Sequence, residues 1–277
     1  ICYPATIVVG SIMRALRSGR YDLDNTAVGI TQTGGQCRAS NYYSLIKNSL
    51  VRAGYGNIPV VSVALSSALN NMQPGFSIPW SKMWRVVMYS MFYADTMQKL
   101  FYPAVAREKE KGLARKIYNK YTEDVREHIL QRNYGGILKM IGRAAREFAD
   151  ACDNSRRVQQ VGLVGEILVK FQPDANNNAI DVIEAEGCEG VLPGVLDFFL
   201  YCAYNPVWAA SNLGRSKKTG FINQTAIDLL EKFRKPINDA YKKTNGKFML
   251  SERIEELAKN SSEVLSCGNT CGEGWFL

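Results

Sequence analysis

Ala27-Val28-Gly29-Ile30-Thr31-Gln32-Thr33-Gly34-Gly35-Gln36-Cys37-Arg38-Ala39-Ser40-Asn41 decides how this chain reads. An apolar strand over 27–31 runs into a glycine pair and a thiol, and an amphipathic segment over 40–54 follows, with Tyr43, Leu45, Ile46, Leu50 and Val51. A cysteine at the start of a helix meets unpartnered backbone N–H groups and a positive dipole end. Both favour thiolate, the form that binds metal or attacks a substrate. Upstream, 6–19 carries Ile7, Val8, Ile12, Met13 and Leu16 before a glycine stop, which predicts a helix. Downstream, 58–65 is a β-branched run of the kind buried on both faces of a sheet. Helix, strand, helix, strand with loops of a few residues is the pattern of a parallel α/β sheet. A strand is expected before Cys2, so a chain opening at Ile1 reads as a piece of a longer polypeptide.

After a turn-rich break at 70–75, residues 80–154 change to long helical stretches divided at Gly135-Gly136. Met83, Met88, Met91, Phe92, Tyr93 and Met97 read as a packed helix face rather than a cofactor box. A second α/β unit starts at Arg157, with a strand over 158–164, a helix over 176–187, a strand over 191–195 and helices over 223–244 and 251–259. The fold class expected is α/β: part of a first lobe over 1–75, a helical insertion or linker over 76–156, and a second lobe over 157–277 truncated at its C-terminus. The most membrane-like stretch, 190–208, is broken by Pro193, Asp197, Asn205 and Pro206 and reads as a buried strand and helix.

A chain of 277 residues with 46% apolar composition can bury one large core or two ordinary ones. Its seven cysteines, odd in number and without a C-x-x-C pair, argue for a reducing compartment, and a cytoplasmic location is expected. The net charge of +8 invites an anionic partner, but most Lys and Arg interleave with Glu and Asp as on solvated helices, so neither nucleic acid nor membrane is expected. Locally basic pieces remain at 14–20, 215–218 and 232–243. The single histidine, His128, lies in a charged helical segment and excludes histidine-based metal sites. Gly162-x-x-Gly165 lacks a full dinucleotide signature, and there is no P-loop. Glu166, just after it, reads equally as a residue of an interlobe cleft or as a helix-capping carboxylate. Cys152, Cys188 and Cys202 read as buried and inert, whereas Cys2 and Cys37 fall at loop-to-helix junctions on one edge of the sheet, where thiolates can hold iron.

Cys2-Tyr-Pro-Ala, Thr31-Gln-Thr-Gly-Gly-Gln-Cys-Arg-Ala-Ser-Asn-Tyr, Val161-Gly-Leu-Val-Gly-Glu-Ile and Gly272-Glu-Gly-Trp-Phe-Leu277 resemble the 2-hydroxyacyl-CoA dehydratase and benzoyl-CoA reductase superfamily. They are most similar to the C-terminal region of large acyl-CoA dehydratase activase-related proteins. The resemblance implies two Rossmann-like lobes and a [4Fe–4S] or double-cubane cluster held between them by cysteines. It also implies electrons delivered by a fused or separate ATP-dependent activase and an acyl-CoA substrate; a homodimer is a further expectation. Carried over residue by residue, it places cluster ligands on Cys2 and Cys37. The family's third cysteine lies in a Pro-Phe-Gly-Cys or Pro-Phe-Ala-Cys segment downstream of Leu277, which leaves Cys271 or Cys267 as substitutes. Arg38 and Gln36, with Glu166, become the residues that touch cluster or substrate. A non-catalytic docking or regulatory module on the same fold is the alternative.

Overall fold

The computed structural model describes residues 2–32, 38–64, 79–244, 246 and 248–264. Among the described residues two compact units emerge: one from the residues up to Pro79 together with Glu166–Ala175, the other from Trp80–Gly165 and the residues from Asn176 to Val264. The chain is a mostly helical α/β protein with two small parallel two-stranded sheets among the described residues.

The first unit opens with α1 (Tyr3–Arg17), whose Pro4 sits in the first turn, where its fixed φ suits a helix and its missing N–H costs nothing. Gly19, at φ 70, takes the left-handed turn that ends it. Strand β1 (Val28–Gln32) pairs in parallel with β2 (Val60–Ala64), in register from Val28↔Val60 to Gln32↔Ala64. Helix α2 (Tyr42–Arg52) makes the crossover that a parallel pair requires. The apolar residues meet in one cluster containing Leu16, Val28, Ile46, Leu50, Ile58 and Val60. Lys47 ties α2 to the lead-in of β2 by donating to the carbonyls of Gly56 (2.9 Å) and Ile58 (3.3 Å). The short helix α6 (Ile167–Phe171) and the turn after it join this unit from far along the chain. Tyr3 Oη donates to Ala175 O (3.3 Å), and Arg14 pairs with Asp174 (3.1 Å).

The second unit is a helical bundle of α3 (Trp80–Arg107), α4 (Leu113–Leu130), α5 (Tyr134–Ala151), α8 (Val195–Asn212), α9 (Lys217–Lys242) and α10 (Ile254–Ser261). Phe92, Met97, Leu100, Ile137, Met140, Ile141, Phe148, Leu196, Leu200 and Ile227 form its core. Phe92, Tyr93 and Met97 are buried, as the Met-rich helix face predicts, whereas Met83 at its outer end is exposed. The break between α4 and α5 falls at Arg132 (φ 55) and Asn133, before the glycine pair rather than on it. Asn133 Oδ1 caps α5 by accepting from Gly136 N (3.0 Å). A Cβ on Gly136 would lie 2.6–2.8 Å from the side chains of Asn133 and His128, so the glycine admits the cap and the imidazole together.

Strand β3 (Gln160–Gly162) pairs in parallel with β4 (Glu189–Val191), with α7 (Ala179–Ala185) between them in sequence. The second of these strands comes earlier than the pattern over 191–195 suggests. Pro193 cannot donate to a ladder, and Gly194 serves as the N-cap of α8. The membrane-like stretch is thus β4 and α8, and no helix among the described residues is long and apolar enough to cross a membrane.

Candidate functional site

Cys2 stands immediately before α1, half-buried, and its carbonyl accepts from Thr6 N (3.1 Å) and Thr6 Oγ1 (3.2 Å). Its thiol makes no capping hydrogen bond. Cys2 and Ala39 pack against the same apolar cluster of the first unit. Arg38, exposed, opens the short 3-10 turn Arg38–Asn41 that leads into α2. Gln32 Oε1 accepts from Tyr43 N (2.8 Å) and so pins the C-terminal end of β1 to the start of α2. Gln36, Cys37, Cys267 and Cys271 lie outside the described residues. Glu166 is the N-cap of α6, its Oε2 accepting from Val169 N (3.0 Å), and it belongs to the same unit as Cys2 and Arg38. Among the described residues, no group of three or more His, Cys, Asp or Glu side chains is placed to hold a metal ion.

The three remaining described cysteines differ from one another. Cys152 is buried and donates Sγ–H to Phe148 O (3.0 Å), and burial pushes its thiol up to about 11. It is inert, as the sequence suggests. Cys188 is half-buried and Cys202 exposed, which corrects the expectation that both are buried. Cys202 follows Tyr201, one of the buried residues of α8, and burial still pushes its thiol up to about 11.

The most elaborate polar arrangement lies in the second unit, where three helices bring charges together. Asp95 on α3 accepts from Val195 N (2.9 Å) and Leu196 N (2.7 Å), satisfying N–H groups that the first turn of α8 leaves open. Asp197 accepts from Gly194 N (3.0 Å), pairs with Lys99 (3.5 Å) and accepts from Arg234 Nη2. Arg234 is only 4% exposed; it also reaches Glu231 (3.2 Å) and the carbonyl of Glu252 (3.1 Å). Lys99 donates to Ser251 Oγ (2.8 Å), and Tyr241 Oη to Thr96 O (3.0 Å).

Burial raises the Asp95 carboxyl despite its two amide donors. Burial also opposes the charge on Asp197, but Lys99 and Arg234 outweigh it and hold that carboxyl below its usual value. The cleft these side chains line has about 10 Å³ of space, room for about one water. So small a cavity excludes a substrate, and donors already aimed at acceptors make a lock that fixes α3, α8 and α9 together. A second buried pair, Arg107 with Glu189 (2.5 Å), joins the end of α3 to β4, and Gln160 on β3 donates to the same carboxylate (3.0 Å).

Comparison with family models, curated proteins and solved structures finds no match. The charge lock escaped the sequence reading, although it left signals. Asp95 and Lys99 stand one turn apart on a helix face otherwise rich in buried apolar residues, and Asp197 interrupts the most apolar stretch of the chain. A charge in such a place is kept only when it is paired.

Proposed function

We propose that this chain is the iron–sulfur-carrying redox part of a 2-hydroxyacyl-CoA dehydratase- or benzoyl-CoA reductase-like protein, supplied with electrons by an ATP-dependent activase. The observation that carries this reading is the position of the most specific motif. In sequence the Gly34-Gly35-Gln36-Cys37 block comes one residue after β1 ends at Gln32, and open α/β sheets take up ligands at the C-terminal ends of their parallel strands. Cys2 supports it: a soft donor, half-buried, in the same unit and packed against the same cluster as Ala39. The two parallel β-α-β pieces, 28–64 and 160–191, are what two Rossmann-like lobes would contribute.

On this reading Cys2 and Cys37 are ligands, with a third thiol from Cys271 or from beyond Leu277. Arg38 and Gln36 donate hydrogen bonds that tune the potential and orient an acyl-CoA substrate. When bound, the cluster supplies single low-potential electrons. Glu166 orders the start of α6 within this site's own unit.

Anaerobic reconstitution with ferrous iron and sulfide tests the reading. Wild type should gain the visible absorbance of an iron–sulfur centre, bleached on reduction, with about four irons per chain or dimer. Cys37→Ser should lose it, and Cys152→Ser should keep it. Equal iron content in wild type and Cys37→Ser overturns the cluster reading and leaves the docking-module alternative.

A further inference from the structure

Helix α9 is buried along one side only. Ile227, Arg234, Ile237 and Tyr241 face inward, and Gly220 lets α8 approach so closely that a Cβ there would come 2.9 Å from Ala210. The opposite side carries Phe221, Ile222 and Leu229, which are 74%, 57% and 55% exposed. Residues 218, 222, 225 and 229 recur at helical spacing, so these side chains and Lys218 share one stripe. Lys232 closes its other end, one turn on. Asp228 and Asp239 lie beside the stripe but are paired with Arg253 and Lys235, at 2.7 Å each; Lys232 also attracts Asp228 from one turn away, and both Lys218 and Lys232 are exposed.

An apolar centre with cationic ends is a core-and-rim surface. We infer that the outer stripe of α9 is a docking site for an acidic amphipathic helix of a partner protein. Such a helix would lay its apolar residues between Phe221 and Leu229 in ridge-and-groove packing, with its carboxylates meeting Lys218 and Lys232. The alternatives fit the stripe less well. A second copy of this chain would bring a net charge of +8 against +8 and lysine against lysine. A bilayer calls for a continuous apolar face, whereas this stripe has three large apolar residues interrupted by the exposed Thr225. Phosphate backbones favour cations without an apolar centre. The inference is independent of whether the chain carries a cluster.

The test uses the full chain and a synthetic helical peptide of about five turns, with Leu at 3-4 spacing and Glu on its flanks. An isomer of the same composition with the Leu residues dispersed serves as control, and binding is followed by fluorescence anisotropy. The ordered peptide should bind at least about tenfold more tightly than the dispersed one. Phe221→Ser/Leu229→Ser and Lys218→Glu/Lys232→Glu should each weaken binding about tenfold, the latter also removing its salt dependence. Circular dichroism checks that the fold is kept, and the exposed lysine pair carries the test if the apolar pair unfolds. Four results overturn the proposal: equal binding of the two peptides, variants that bind as wild type does, tighter binding to phosphatidylglycerol vesicles or duplex DNA than to the ordered peptide, or self-association that Phe221→Ser abolishes.

Discussion

The two units handle polar side chains in opposite ways. In the second, the half-buried Asp95, Asp197 and Lys99 and the buried Arg234 are closed on one another around room for about one water. In the first, a small aliphatic cluster holds the sheet, while Cys2 and Arg38 stand at its margins, half-buried or exposed. A closed network fixes geometry and has little left to offer a ligand. A thiol and a guanidinium at the margin of a parallel sheet remain open to chemistry. Complete pairing therefore marks structure in this chain, and a half-buried thiol that makes no capping bond marks the candidate site.

The largest effect should come from opening the closed network. Asp197→Ala leaves the buried Arg234 and the half-buried Lys99 without their shared carboxylate, Arg234 keeping only Glu231, and should cost about 3 kcal/mol in urea unfolding. A loss below about 1 kcal/mol would mean that the charges are solvated and the contrast between units is false. Leu50→Ala probes the other side of the comparison. Leu50 is fully buried in the aliphatic cluster, so its truncation should cost about 2–4 kcal/mol and expose the first unit to protease. Cleavage that begins within 80–151 instead would show that the bundle is the weaker part.

Much of the local structure was legible because it depends on neighbours in sequence. The β-branched run around Val60 and the apolar spacing of Ile46 and Leu50 give β2 and α2 directly. The glycine pair at 135–136 misled, because the stop comes from Arg132 and the Asn133 cap, and Gly136 serves side-chain packing. What joins distant parts could not be read. Asp95 and Val195 lie 100 residues apart, and Tyr3 reaches Ala175 across 172, pairings that periodicity cannot specify. At the candidate site, motif wording singled out Cys2, Arg38 and Glu166, but not that the segment carrying Glu166 packs with the first unit.

A smaller effect separates partial burial from full pairing by pH. Glu184 on α7 is raised from 4.5 to about 7, mainly by burial and then by Asp181, with Arg115 only partly compensating. Its folded-state value lies above its unfolded one, so folding holds the proton more tightly. The penalty is absent below about 4.5, grows as pH rises towards 7, and is constant beyond. Glu184→Gln should therefore stabilise the protein increasingly over that window. At a half-buried site, solvent screening trims the gain to about 1 kcal/mol. A gain that instead shrinks with rising pH would show that Glu184 is held ionised by a partner.

The smallest effect on stability falls on the residue with the largest proposed role. Cys2 occupies the N-cap of α1 with no side-chain hydrogen bond, and cysteine is not among the residues that cap well. Serine at that position has an oxygen able to accept from Ala5 N, the third helical N–H, while Pro4 has none to offer. The half-buried setting leaves little packing to lose on exchanging sulfur for oxygen. Cys2→Ser should then raise stability by about 0.5 kcal/mol in thermal unfolding, and the same variant should fail to hold iron after anaerobic reconstitution. A gain in stability joined to a loss of iron assigns the thiol to chemistry at the helix's expense. A clear loss of stability, with iron unchanged, would make Cys2 a packing residue and remove the contrast between the two units.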